Sequence, residues 1–251
     1  MIRDTTAGAG AGRSAFPPTR QSAIIALRSG SDPERRRALD TLTGIYWKPV
    51  YKYIRLHWHR DSDAAQDLTQ SFFLAVLERD FFQDYDPSRA RFRTFLRTCL
   101  DRFIMNEDRA AGRQKRGGDH ERVSLDFGQA ESEIHLTVGE DEPDRLFELE
   151  FVRSLLSGAV DTLRQEYHTG GKQRHFDLFE RYDLDRADSG EKLSYGDLAG
   201  EFGLTIETVT NHLAAARRDF RRIVLDRLRA MTASEEEFRE EIRTVLGIDA
   251  A

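Results

Sequence analysis

The sequence predicts an all-α fold of two helical domains, and three observations carry that prediction. Apolar residues recur with helical period along most of the chain, one segment has the pattern of a helix-turn-helix, and opposite charges are segregated into neighbouring stretches. Trp47, Val50, Tyr51, Ile54 and Trp58 fall at i, i+3, i+4, i+7 and i+11, and Phe92, Phe95, Leu96, Cys99, Leu100 and Phe103 repeat the stripe. Both faces are expected to be buried.

Taken in order, 1–19 reads as a flexible tail rich in Ala, Gly, Thr and Pro. An amino-terminal bundle over 20–116 is predicted from helices near Gln21–Arg28, Pro33–Trp58, Ala64–Arg79 and Arg91–Ala111. Pro87 biases Asp86 away from helical backbone and so breaks the bundle between its third and fourth helices. From 117 to 143 no period is sustained, and an acidic, flexible linker is expected. A second bundle over 144–230 follows, with helices near Asp144–His168, Lys172–Tyr182, Ser194–Phe202 and Ile206–Arg229. The remainder, 231–251, is a helical extension whose helix, Ser234–Leu246, begins with acids that suit the helix dipole.

Within Ser194–Leu213, Ala199 is small enough for two helices to cross closely, and Gly203 accepts positive φ in the turn. Leu198, Phe202, Leu204, Val209 and Leu213 then face inward, leaving Glu207, Thr210 and Asn211 outward, ahead of Arg217, Arg218, Arg221 and Arg222. Such a helix suits the DNA major groove.

The formal net charge of −6 conceals an uneven distribution. Asp86–Gly118 holds nine basic residues against four acids, for +5, whereas Asp119–Glu150 holds two against eleven, for −9. Two basic faces separated by an acidic connector suggest two nucleic-acid contacts with something other than DNA between them.

Other functions find little support. The single cysteine excludes a disulfide framework, and Cys99 lies in an apolar stripe, as a core thiol would. His57 and His59 point to different sides of a helix, and Asp183, Asp185 and Asp188 lack the Gly and Glu spacing of a calcium loop, so no metal is expected. Neither a phosphate loop nor a nucleophile context stands out, so no catalytic residue and no cofactor are assigned. No apolar run spans a bilayer and no signal peptide is evident, so a cytoplasmic protein without membrane contact is expected. Phe72 and Phe73 cannot both face inward equally on one helix, which leaves one for a neighbouring helix or a partner. Tyr85, in a polar loop beside basic residues, reads equally as a platform for an unpaired base or as an ordinary surface tyrosine.

Asp63-Ala-Ala-Gln-Asp-Leu-Thr-Gln-Ser-Phe-Phe73, Asp86-Pro-Ser-Arg-Ala-Arg-Phe-Arg-Thr-Phe-Leu96 and the helix-turn-helix together resemble the second and fourth conserved regions of bacterial RNA polymerase sigma factors, best matching the extracytoplasmic-function (ECF) group. The resemblance runs roughly from Gln21 to Arg229. It implies an alternative sigma factor, not an enzyme, that partners core RNA polymerase and promoter DNA. Asp63, Asp67 and Gln70 would dock on the polymerase. Tyr85, Arg89, Arg91, Arg93, Arg97, Arg102, Asn106 and Arg109 would hold and help melt the minus-ten element. Glu207, Thr210, Asn211, Arg217, Arg218 and Arg221 would read the minus-thirty-five element, while the acidic connector would enter the polymerase cleft.

Departures are visible too. Gln66 and Ser71 stand where family members usually carry acids, and Ala214 and Ala215 where many place aromatic or basic residues. Thr69 and Ser71 offer hydroxyls to a Ser/Thr kinase, whose phosphate would restore the missing negative charge. An anti-sigma factor is a further possible partner. A helix-turn-helix regulator acting without polymerase, and an inactive sigma-like interaction protein, remain as alternatives.

Overall fold

In the computed structural model the described residues are 22–78, 81–111, 125–137, 143–185 and 193–247. The expected tail at 1–19, the connector segments 117–124 and 138–142, the basic Arg113, Lys115 and Arg116, and Asp188 lie outside them. The described residues form helices and turns without strands. The helices are α1 (Ala23–Ser29), α2 (Asp32–Leu56), α3 (Ser62–Glu78), α4 (Phe92–Ala111), α5 (Phe127–Thr137), α6 (Pro143–Thr169), α7 (Gln173–Phe179), α8 (Tyr195–Phe202), α9 (Ile206–Ala230) and α10 (Glu235–Leu246). A π-helical turn, Glu180–Leu184, continues α7.

Local chemistry explains where these helices begin. Ser31 donates its backbone N–H to the Glu34 carboxylate at 2.7 Å, and Pro33 occupies the first turn of α2, where a missing N–H matters least. Ser194 accepts from the Asp197 amide at 3.1 Å and Thr205 from the Thr208 amide at 3.1 Å, opening α8 and α9.

α2 is the central element. It packs against α1, α3, α5 and α6, and Tyr46, Val50, Tyr51, Tyr53 and Ile54 are all buried. The Tyr46 ring stacks 5.2 Å from Phe151 of α6, and Phe147 meets Tyr53 edge-on at 5.7 Å. On the other side, Phe72 of α3 touches Phe73, Phe81 and Phe103. Phe72 and Phe73 are both buried, because their rings turn edge to face at 66° within one cluster.

α6 carries the core from one half of the chain to the other. Its first turns lie on α2, whereas Leu155, Ala159 and Leu163 continue a buried stripe toward α7 and α9. Gly158 leaves room there for the Arg227 guanidinium of α9, since a Cβ would stand 2.1 Å from Nη2 and would force that side chain to shift. Buried apolar residues from Ile24 to Ile242 form one continuous cluster, so packing marks no sharp boundary between 20–116 and 144–230.

The expected flexible linker is corrected over 127–137, which is helix α5. Phe127, Ala130 and Ile134 are buried, with the Phe127 ring 5.1 Å from Tyr51 and 5.6 Å from Trp47. Its acids bind α2 at the same time. Glu131 accepts from Tyr51 Oη at 2.6 Å and Arg55 Nε at 3.0 Å, and Glu133 from Lys48 Nζ at 3.0 Å and Lys52 Nζ at 2.7 Å. Acids that suggested a free-running segment therefore neutralise the cations of a neighbouring helix.

Candidate nucleic-acid interfaces

α3 buries Ala65, Thr69, Phe72, Phe73 and Val76, which turns Asp63, Asp67 and Gln70 outward along one face at i, i+4 and i+7. Asp63 and Asp67 are exposed and Gln70 is half-buried. Gln66 donates to Ser62 Oγ at 3.0 Å. Thr69 is corrected as a kinase target: its side chain is fully buried and its hydroxyl donates to the Ala65 carbonyl at 2.7 Å.

α4 divides its residues as sharply. Leu96, Cys99, Leu100, Phe103 and Ile104 are buried, and burial pushes the Cys99 thiol up to about 11. Arg102, Asn106 and Arg109 are exposed and again separated by four and three residues, so they form one basic edge. Arg97 and Arg91 are half-buried, and Arg89 extends into solvent beside Asp86 at 3.3 Å. The break at Asp86-Pro87 is a turn. Asp86 accepts from the Ser88 amide at 3.0 Å and its hydroxyl at 2.7 Å, bonds that hold the carboxyl below its ordinary range.

Two of the expected strand-binding residues are not on the surface. Tyr85 is 2% exposed, packed 5.3 Å from the Phe92 ring and 5.1 Å from Phe95, and its hydroxyl donates to Glu237 of α10. Both surface readings of Tyr85 are thus corrected. Arg93 is 1% exposed, ion-paired with Glu148 and Glu241 and lying 5.1 Å over the Phe151 ring. The reason is a cover that neither residue's neighbours in sequence reveal. Glu237 also accepts from the Phe92 amide at 2.9 Å, so α10 seals the start of α4.

In the helix-turn-helix, Leu198, Val209 and Leu213 are fully buried, Ala199 nearly so, and Phe202 and Leu204 half-buried. Gly203 has φ 64°, and the Leu204 amide returns to the Ala199 carbonyl at 2.9 Å, closing α8. Glu207, Thr210 and Asn211 are exposed on the first turns of α9, beside Ile206, and Arg218 and Arg221 are exposed further along. Arg217 is used within the fold instead. Its guanidinium grips Asp183 with bonds of 2.9 and 2.8 Å, donates to Tyr195 Oη at 3.0 Å and covers Tyr182 at 5.3 Å. Arg222 pairs with Glu166 at 2.6 Å.

Sequence reasoning missed Glu237 and Glu241. The signal was present: Glu237, Phe238, Glu241 and Ile242 share one face of α10, and all are buried. Carboxylates interleaved with an apolar stripe require basic or donating partners across an interface. Among the described residues, no cluster of His, Cys, Asp and Glu is arranged to hold a metal ion, and no helix is long and apolar enough to cross a membrane.

Residues 53–168, from the last turn of α2 to the end of α6, match the family model described as ECF sigma factor. That match supports an ECF sigma factor, and with it a DNA-binding role in transcription initiation. No curated protein and no solved structure matches the chain.

Proposed function

We propose that the protein is an alternative sigma factor that docks on core RNA polymerase through α3, engages the minus-ten promoter element with 81–109, and reads the minus-thirty-five element with α9. The observation that carries this reading is the presence, in one chain, of two dissimilar exposed edges, each suited to a different form of DNA. On α9, Glu207, Thr210 and Asn211 stand exposed at the end of the helix that enters a major groove in helix-turn-helix proteins. On α4, Arg102, Asn106 and Arg109 form an exposed basic edge, the chemistry that pairs with the phosphates of a nucleic-acid strand. A duplex-binding regulator has no use for the second edge.

Docking would fall to Asp63, Asp67 and Gln70, whose common face offers carboxylates to a basic partner surface. Melting a promoter costs a few kcal/mol per unstacked base, which strand contacts and polymerase must offset. Run-off transcription with core polymerase on the promoter upstream of the protein's own gene tests the whole reading. Promoter-dependent transcript is expected only when protein and core enzyme are both present. Duplex binding without any association with core polymerase would identify a regulator that acts alone, and core binding without transcript an inactive sigma-like protein.

A further inference from the structure

We propose that α10 is an intramolecular latch on the strand-binding segment, and that Glu237 and Glu241 compete with promoter single-stranded DNA for Tyr85, Arg93 and the start of α4. The inference rests on the strand-binding reading above and adds its regulation.

Three contacts join α10 to the segment, and a fourth fixes Glu237 at the start of its own helix. Glu237 takes the Tyr85 hydroxyl and the Phe92 amide, and its other oxygen accepts from the Ala233 amide at 2.7 Å. Glu241 takes the Arg93 guanidinium. A carboxylate and a backbone phosphate are both anionic oxygen acceptors, and an amide, a phenol and an arginine are the donors that either would seek. With α10 closed, Tyr85 is 2% and Arg93 1% exposed, Arg93 being held by Glu148 and Phe151 of α6 as well as by Glu241, so neither can meet a nucleotide.

The latch is built to open. α10 has only 12 residues and joins α9 through Met231–Ser234. Its outward residues, Glu236, Arg239, Glu240, Arg243 and Thr244, are exposed, and a helix of this length is marginal in water once detached. The closed state also satisfies its charges imperfectly. Arg93 Nη2 is buried without a hydrogen-bond partner among the described residues, and burial pushes the Glu241 carboxyl up despite the nearby Arg93. A strand that paired these groups better would therefore displace the helix.

The test uses the full chain and a fluorescein-labelled single-stranded DNA of random sequence. Glu237→Gln/Glu241→Gln keeps side-chain size while removing both charges and replacing one acceptor oxygen of each carboxylate by a donor NH2. A latch open about a tenth of the time weakens apparent strand affinity about tenfold, so the double variant should bind up to about tenfold more tightly than the native chain. Hydrogen exchange on the native chain provides an arm that needs no variant: adding the oligonucleotide should remove protection from 235–246. Equal strand affinity in the two chains, with α10 protection unchanged by DNA, would leave the strand-binding reading intact and overturn the latch alone. If neither chain binds the strand, the strand-binding reading fails and the latch with it. Should the double variant lose its helical circular dichroism, the exchange result on the native chain decides.

Discussion

Lys52 of α2 and Glu150 of α6 form a buried ion pair, Nζ to Oε2 2.7 Å, with side-chain exposures of 0% and 1%. Glu133 of α5 meets the same ammonium at 2.7 Å, and Arg153 reaches the other Glu150 oxygen at 2.7 Å. One cation thus ties together helices from before, within and after the acidic connector. Removing Lys52 alone leaves the buried Glu150 carboxylate with only the more exposed Arg153 to balance it, in a medium that solvates it poorly.

Lys52→Met should therefore destabilise the protein by roughly 3–5 kcal/mol, whereas Lys52→Met/Glu150→Leu should recover most of that loss. Urea denaturation of the two variants measures both. A single substitution as mild as the double would show that Glu150 is satisfied without Lys52.

Arg217 and Arg218 are adjacent in sequence and should behave differently. Arg217→Ala removes a two-pronged bond to Asp183 and should lower stability by about 1 kcal/mol, with partial exposure limiting the effect. Arg218→Ala should leave the melting temperature unchanged and weaken binding to all duplexes alike, while Asn211→Ala should relax preference at one base pair by about 1–3 kcal/mol. Thermal melts combined with a promoter-variant scan separate these outcomes. Equal losses of stability for both arginines would contradict the assignment.

The exposed edge of α4 is open to an ionic-strength measurement. Arg102→Ala and Arg109→Ala should each reduce the log–log salt slope of single-strand binding by about 0.7 without altering the fold. An unchanged slope would leave both as solvated surface residues.

The His175 and His212 rings stack with centroids 3.7 Å apart, joining α7 to α9. Burial first, then His212 and Lys172, holds His175 below its ordinary value of 6.5, with Asp219 opposing. The unfolded chain therefore takes up that proton more readily, so the stabilising contribution is full above about 6.5 and disappears as pH falls through the lower folded value. Melting temperature should drop on acidification through that window, and His175→Gln should flatten the drop. An identical pH profile in the variant would assign the acid sensitivity elsewhere.

How much of this could be read from sequence depended on how far each side chain's partners lie along the chain. The helix-turn-helix was legible because Ser194, Ala199, Gly203 and Thr205 act within a few residues of one another. α5 was not, since Phe127, Ala130 and Ile134 supply a thin stripe whose acids appear unpartnered until Tyr51, Lys52 and Arg55 are brought beside them. The face formed by Asp63, Asp67 and Gln70 followed from helical spacing alone. Tyr85 and Arg93 were placed at the surface because their cover arrives about 150 residues later.

α6 also sets a phase relation between the two ends of the molecule. At about 100° of rotation and 1.5 Å of advance per residue, inserting one amino acid between Phe151 and Leu163 would swing the faces meeting α7 and α9 by more than a quarter turn relative to those meeting α2. Gly158 would leave the Arg227 side chain, and Glu150 and Leu163 would no longer face their partners in the same register. Length changes in this helix are thus tolerable only in steps near a whole turn. Like a keyed shaft, α6 transmits orientation as well as distance, and any DNA contacted at both ends must present its two sites at a matching angle around its own axis.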